Sequence, residues 1–239
     1  MNFNNWNRIM LKLSGEVLVG NQDYGLDPDK IISIAEDITK VHETDKEICI
    51  VVGGGNIFRG ISGAAQGIDR VTADGMGMLA TVINALALQN AIEKKGVPTR
   101  VLSAIPMQTI CESFIKRRAI RHLEKKRVII LAAGTGNPYF STDTAATLRA
   151  AEMNCDVIFK GTSVDGVYEN DPKINPKSKK YSTISYKKVL EDNLQVMDSS
   201  AITLARDNNI PMVVFSILEK NSFFKAVNAK EPYTIISEK

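Results

Sequence analysis

Six short, mainly apolar runs punctuate the chain: Ile9 to Leu13, Ile48 to Val52, Arg100 to Leu102, Val128 to Ala132, Val157 to Lys160 and Met212 to Phe215. Helical patterns separate them. This alternation predicts βαβ units and a mainly parallel sheet with helices on both faces, an α/β chain folded as one domain over 1–239.

The first connecting helix is marked by Asp27 as N-cap, Pro28 in the first turn, and Ile31, Ile34, Ala35, Ile38 and Val41 at helical spacing. A second helix is expected from Met76 to Lys95, stopped by Gly96. Met78, Leu79, Val82, Ile83, Leu86, Leu88 and Ile92 make it apolar on nearly every side, and such helices are buried. An outer layer of a sandwich touches only one other layer. The second face of this helix is therefore expected to meet another subunit, giving a homo-oligomer. Asn170 to Lys180, with Pro172, Pro176 and no periodicity, reads as an exposed loop or ribbon.

Ligands of such sheets sit at the carboxyl ends of the strands, so chemistry is sought just after each run. The second run stops at Gly53-Gly54-Gly55 and continues Asn56-Ile57-Phe58-Arg59-Gly60. Bare backbone amides at a strand end attract anions, and arginine forks onto phosphate oxygens. A tight turn whose glycines only relieve crowding is the alternative. Lys12, in Met10-Leu11-Lys12-Leu13-Ser14-Gly15-Glu16, places an ammonium in an apolar strand end. Burying it is costly unless an anion meets it; an edge strand facing solvent would also account for it.

The fourth run opens into Gly134-Thr135-Gly136-Asn137-Pro138-Tyr139-Phe140-Ser141-Thr142-Asp143, a cluster of donors and acceptors suited to a polar ligand. Asp143 equally fits a plain N-cap of the helix that follows. The fifth run ends in a second strand-end lysine, Lys160, followed by Gly161-Thr162-Ser163-Val164-Asp165-Gly166-Val167-Tyr168 and Asn170-Asp171-Pro172. Asp165-Gly166 suits a turn or hairpin, and Tyr168 can cover a planar base. Lys12, Arg59 and Lys160 together describe a site for a large negative charge.

Composition excludes several classes. With 44% hydrophobic and 24% charged residues the chain is an ordinary globular one, and a net charge of +3 does not by itself imply nucleic acid. The basic run Lys116-Arg117-Arg118, Arg121 and Lys125-Lys126-Arg127 lacks interleaved aromatics and reads as a solvated helix face. Cys49, Cys111 and Cys155 are odd in number and scattered, which fits a reducing cytoplasm and neither a disulfide framework nor a zinc site. No apolar signal core precedes the first strand, and the stretch from Met76 to Ile92 is interrupted by Thr81, Asn84, Gln89 and Asn90, so neither export nor membrane spanning is expected. His42 and His122 are the only histidines, which disfavours hydrolase triads. Phosphoryl transfer to an anionic acceptor needs no such base. No Walker P-loop occurs, and Gly75-Met76-Gly77-Met78-Leu79-Ala80 matches the dinucleotide pattern without a strand ahead of it.

Over nearly its whole length the chain resembles the bacterial uridylate kinases of the amino-acid-kinase fold. The resemblance rests on Lys12 to Glu16, Gly53 to Gly60, Asp74 with Met76 to Thr81, Gly134 to Pro138, Val164 to Tyr168 and Val196-Met197-Asp198. It implies a three-layer α/β/α sandwich, transfer of the γ-phosphoryl group of ATP to UMP in pyrimidine biosynthesis, Mg2+ accompanying ATP, and a homohexamer. By resemblance Lys12, Arg59 and Lys160 neutralise the transferring group and Asp198 orients a lysine. Lys12, Leu13, Ser14, Gly15, Gly55, Arg59, Thr162, Tyr168 and Asp171 are expected at ATP. Gly54, Asp74 at the ribose, and Thr135, Gly136, Asn137, Pro138, Tyr139, Phe140, Ser141 and Thr142 are expected at UMP. The chain departs from the usual pattern at Tyr139, Ser141, Gly161 and Ser163. Gly20, Asn21, Gln22, Asp23, Tyr24 and Gly25 match a loop linked to GTP activation, with UTP as a second possible effector. A nucleotide-storage or sensor protein on the same fold, and an acyl-phosphate kinase, are the alternatives.

Overall fold

The computed structural model describes residues 3–58, 67–172, 174–175, 177–230 and 232–238. Along the chain run β1 (Arg8–Leu13), α1 (Pro28–His42), β2 (Glu47–Val52), α2 (Arg70–Glu93), β3 (Thr99–Ser103), β4 (Glu112–Ser113), α3 (Lys116–Glu124) and β5 (Val128–Ala132). Then follow α4 (Thr142–Glu152), β6 (Val157–Thr162), β7 (Thr183–Ile184), α5 (Tyr186–Glu191), α6 (Ser199–Asp207), β8 (Met212–Ser216), α7 (Ser222–Val227) and β9 (Tyr233–Ile236). One sheet holds the nine strands in the order β4-β3-β5-β2-β1-β6-β8-β9-β7, parallel throughout except where β9 runs against β8.

The central strands are buried on both faces, which is why they read as nearly continuous apolar runs. Alternate positions along each strand feed different layers. Leu11, Ile50 and Phe159 face α1, α2 and α7 through Ile34, Ile38, Val82, Leu88 and Phe223. Met10, Cys49 and Ile158 face α3 to α6 through Leu123, Ala146, Tyr186 and Ile202. Each fully buried large apolar side chain contributes about 1.5–3 kcal/mol, so interlayer packing dominates the assembly of the sandwich. The predicted α/β/α architecture is the observed one.

Helix α1 starts as expected, with the Asp27 carboxylate accepting from the Asp29 amide at 2.9 Å and the Lys30 amide at 3.3 Å. Its buried Asp37 accepts from the Phe223 and Phe224 amides, both at 2.8 Å, and so caps α7, whose own N-cap Asn221 makes no side-chain cap bond. Burial pushes the Asp37 carboxyl up, against the lowering effect of those two amides.

Helix α2 begins six residues before the expected Met76. Asp69 caps it by accepting from the Thr72 amide at 3.0 Å, while Gly75 and Gly77 hide its early turns from an apolar pattern. The dinucleotide-like glycines thus lie inside a helix, not in a phosphate loop. Gly96, at φ +87°, ends the helix region as expected. By length and hydropathy α2 could cross a bilayer, but it packs along the sheet through Val82, Ala85, Leu88 and Ile92. Val71, Met76, Leu79 and Ile83 remain exposed on its outer side. Strands β4, β7 and β9 were not expected: β4 and β7 span two residues each and carry no periodicity, while β9 is a four-residue β-rich run, Tyr233 to Ile236, outside the six runs. The Asn170 to Lys180 segment is a ribbon, tied by the Tyr168–Lys180 bridge, with Ile174 84% exposed.

Candidate active site

Strands β1 and β6 place Lys12 and Lys160 directly opposite each other in register, both on the sheet face covered by α4. Helix α4 crosses from β5 over β2 and β1 to β6, so its first turn lands on the two ammonium groups. Asp143 in that turn lies with Oδ1 2.6 Å from Lys12 Nζ and Oδ2 2.8 Å from Lys160 Nζ. The Lys12 contact is a close ion pair that lacks the alignment of a hydrogen bond, and among the described residues Oδ1 accepts no hydrogen bond. Lys160 also donates to the Val196 carbonyl.

These side chains are only 7%, 16% and 12% exposed for Lys12, Asp143 and Lys160. Two buried cations share one carboxylate, which leaves an excess positive charge. Burial pushes the Asp143 carboxyl up, but the charges of Lys12 and Lys160 overcome it and hold it below the ordinary value. Lys160 is pulled below its ordinary value, chiefly by burial and further by Lys12, despite Asp143. A simple ion pair would raise the lysine. Two ammonium groups held beside one carboxylate suit a phosphate group.

Asp143 is not the N-cap of α4. Ser141 is, accepting from the amides of Asp143 at 3.0 Å and Thr144 at 3.2 Å. Asp198, expected to orient a lysine, makes no ion pair with either lysine. It caps α6 through the Ala201 amide at 2.8 Å and accepts from Thr144 Oγ1 at 2.8 Å and from the Ser141 hydroxyl. Its direct hold is on the start of α4, and its charge reaches Lys160 only as a minor contribution. Asp143 is the carboxylate that touches the lysines, and its role could not be separated from capping before the crossover of α4 was known.

Two cavities meet at this turn, with Asp143 lining one and its neighbour Thr142 the other. The larger, about 740 Å3, is lined by Lys12, Ser14, Thr162, Tyr168 and Asp171, expected at the donor, and by Lys160, expected at the transferring group. Leu218 and Asn193 join it unexpectedly, from loops with no motif. The Tyr168 hydroxyl donates to Asp165 at 2.6 Å, which pushes its pKa up to about 12, and Asp165 also pairs with Lys180 at 2.7 Å. The Asp165-Gly166 turn is thereby pinned as a wall of the cavity. Gly166 is required there, since a Cβ would lie 2.6 Å from Thr234 Oγ1.

The smaller cavity, about 130 Å3, is lined by Gly54, Asp74, Thr135, Asn137, Phe140 and Thr142, together with Phe58, Met78 and Thr81. Asp74 accepts from the Tyr139 amide and from Arg70 Nε, each at 2.8 Å. Gly136 and Tyr139 shape the loop with φ +82° and +71°, and buried Thr81 accepts from the Ala133 amide at 2.8 Å. Among the remaining expected residues, Leu13 is fully buried in the core and Pro138 and Ser141 support the loop without lining this cavity. Arg59 lies outside the described residues.

The glycine turn has a second reason to exist. A Cβ on Gly15 would lie 2.7 Å from the Gly53 carbonyl, and one on Gly54 would lie 2.8 Å from the Gly77 carbonyl of α2. Crowding alone therefore requires glycine at 15 and 54, whatever ligand approaches. Buried Asn56 and Asn84 exchange hydrogen bonds of 3.0 and 2.7 Å, and reach the Gly25 and Gly53 carbonyls, tying the Gly20 to Gly25 loop to this turn. Another cavity, about 610 Å3, lies beside β4 at the sheet edge, lined by Gln89, Arg100 and Cys111.

Residues 7–216 match the model of the amino acid kinase family. The chain is 59% identical over 229 residues to the uridylate kinase of Erythrobacter litoralis, covering 96% of each. The chain belongs to the amino acid kinase family, in its uridylate kinase branch. Identity is also 59% with the uridylate kinase of Cereibacter sphaeroides, over 96% of this chain and 93% of that one. The crystal structure of the UMP kinase from Ureaplasma parvum superposes with a TM-score of 0.94 at 42% identity, covering 98% of this chain and all of that one. The UMP kinase from Bacillus anthracis gives 0.93 at 37%, over 98% and 96%. Members of this branch and this chain share the whole amino-acid-kinase sandwich, so its two cavities sit on a common scaffold.

Proposed function

We infer that the chain is an ATP-dependent phosphotransferase that converts UMP and ATP to UDP and ADP. The observation that carries this reading is the junction of two cavities at Lys12, Asp143 and Lys160 in a chain 59% identical to proteins named uridylate kinase. The transfer forms a bond from a UMP phosphate oxygen to the γ-phosphorus of ATP and breaks the bond to the β–γ bridging oxygen, which leaves with its electron pair on ADP. The attacking oxygen is already anionic, so no base is required. Catalysis reduces to alignment and charge neutralisation.

In this reading the larger cavity takes ATP, with Ser14, Gly15, Gly55, Thr162, Tyr168 and Asp171 as contacts. Lys12 and Lys160, with Arg59 four residues after Gly55 in the sequence, neutralise the moving phosphoryl group, and Asp143 keeps the two lysines apart and aimed. The smaller cavity takes UMP: Gly54 and Thr142 meet its phosphate, Asp74 its ribose hydroxyls, and the Thr135 to Phe140 loop its uracil. Bound together with ATP, Mg2+ would supply further neutralisation of the phosphates. Such ions are held largely by phosphate and water, so no protein cage is required; among the described residues no cluster of three His, Cys, Asp or Glu forms one.

The single nucleoside-monophosphate kinase domain over 1–239 works as a homo-oligomer, with the exposed Val71, Met76, Leu79 and Ile83 of α2 in a subunit contact and a hexamer as the assembly. Three free cysteines suit a cytoplasmic place in pyrimidine biosynthesis. The Gly20 to Gly25 loop is the candidate for a GTP response, with UTP as the opposing effector. A coupled assay with ATP, Mg2+ and each nucleoside monophosphate, with and without GTP and UTP, tests all of this. ADP release with UMP and not with amino-acid carboxylates is expected; no release with UMP overturns the reading. Storage or sensing without transfer is not favoured, because the relatives are named kinases.

A further inference from the structure

Asp74 does not meet the smaller cavity as a free side chain. Arg70, one turn earlier on α2, places its Nε 2.8 Å from both carboxylate oxygens. The Tyr139 amide donates to Oδ2 at 2.8 Å. The Arg70 guanidinium also lies over the Tyr139 ring, 5.7 Å from its centroid, so one arginine touches both the carboxylate and the loop that donates to it. Tyr139 needs such support, since a non-glycine residue at φ +71° is disfavoured unless its surroundings hold it.

We propose that Arg70 is a positioning residue for the sugar of the acceptor nucleotide, acting through Asp74 and Tyr139; this rests on the reading that Asp74 meets the UMP ribose. The pair does not exist for stability, because an i,i+4 ion pair with a cation 44% exposed is worth little. What it does is fix a carboxylate that is only 14% exposed and lines the cavity. A carboxylate offers about four acceptor positions. Arg70 and the Tyr139 amide both donate to Oδ2, and of the two only Arg70 reaches Oδ1, which leaves Oδ1 able to accept from a ligand hydroxyl. A carboxylate already held in one rotamer loses no further freedom when a sugar arrives. The same fixed acceptor distinguishes a ribose from a 2′-deoxyribose, which offers one donor fewer.

The test compares Arg70→Met, which keeps the length and removes the fork, with Arg70→Lys and the unaltered chain, using UMP and 2′-deoxy-UMP. Arg70→Met is expected to raise KM for UMP about tenfold, the loss of one charge-assisted interaction, and to narrow the preference for UMP over its deoxy form. KM for ATP and the melting temperature stay near those of the unaltered chain, and Arg70→Lys recovers part of the loss. In an Asp74→Asn background, Arg70→Met adds little, because its effect runs through that carboxylate. An unchanged KM for UMP, an equal rise in KM for ATP, or full additivity with Asp74→Asn overturns the inference while UMP turnover by the unaltered chain stands. Absence of that turnover removes the kinase reading, and this inference with it.

Discussion

Asp143 stands between Lys12 and Lys160, 2.6 Å from one ammonium and 2.8 Å from the other. Replacing it with asparagine leaves two buried cations adjacent and unshielded. Breaking a buried pair in this way costs about 3–5 kcal/mol. Asp143→Asn is therefore expected to lower the denaturation midpoint, to cut the transfer rate by orders of magnitude, and to be stabilised by ATP more than the unaltered chain is. Denaturant titration with and without ATP measures this; a normal midpoint and rate would show that the lysines do not depend on Asp143.

The same triad sets the pH response. Asp143 has a folded pKa below its ordinary 3.8, because the two lysines outweigh burial. Its contribution to stability is complete above 3.8 and is lost as pH falls through the lower folded value. The stability gap between the unaltered chain and Asp143→Asn should therefore close on acidification below about pH 4. Gap closure beginning at neutral pH would assign the effect to another group.

Lys160 moves on the alkaline side. Its pKa lies below the ordinary 10.5, so it loses its charge earlier than an exposed lysine as pH rises. The alkaline limb of kcat/KM should begin below 10.5, and the limb of kcat, measured with the phosphates bound, should lie higher. Coincident limbs would argue against a lysine at the transferring group.

Gly54 packs against α2, where a new Cβ would lie 2.8 Å from the Gly77 carbonyl and 2.9 Å from Ala80 Cβ. Gly54→Ala should cost about 1–3 kcal/mol through overpacking and weaken UMP more than ATP. Thermal melting and the two KM values decide this. An unchanged melting temperature would mean that the turn yields without strain.

Arg59 and Asp74 separate transfer from acceptor binding. Arg59→Ala should lower the rate by orders of magnitude with the protein still folded, as loss of a charge clamp does. Asp74→Asn should raise KM for UMP far more than for ATP. Equal effects on both substrates would make Asp74 a support for the Tyr139 loop alone, through the bond it accepts from that amide.

Much of the site was legible because some residues are anomalous where they stand. An ammonium inside an apolar run is such an anomaly, and Lys12 and Lys160 announce themselves by it. Asp143 does not, because a carboxylate in the first turn of a helix is ordinary. The direct bonds of Asp198, to the Ala201 amide, Thr144 and Ser141, carry no sequence signal either, since a residue near a motif looks the same whether it touches the motif or caps a helix. Arg70 was missed for a similar reason, as its four-residue spacing from Asp74 resembles any exposed helical pair. Only the return of the Tyr139 loop to α2 gives that spacing a consequence.

By itself, then, the amino-acid order determined the local facts: alternating strands and helices, the Asp27 cap, the crowded glycine turn, and two lysines at strand ends. The tertiary structure decided which of these meet. Pairing Lys12 with Lys160 depends on β1 and β6 becoming neighbours across about 150 residues. Their counter-ion depends on α4 crossing the sheet to deliver Asp143. Register and crossover are set by packing among distant segments, and that packing leaves no mark on the local pattern of any one of them.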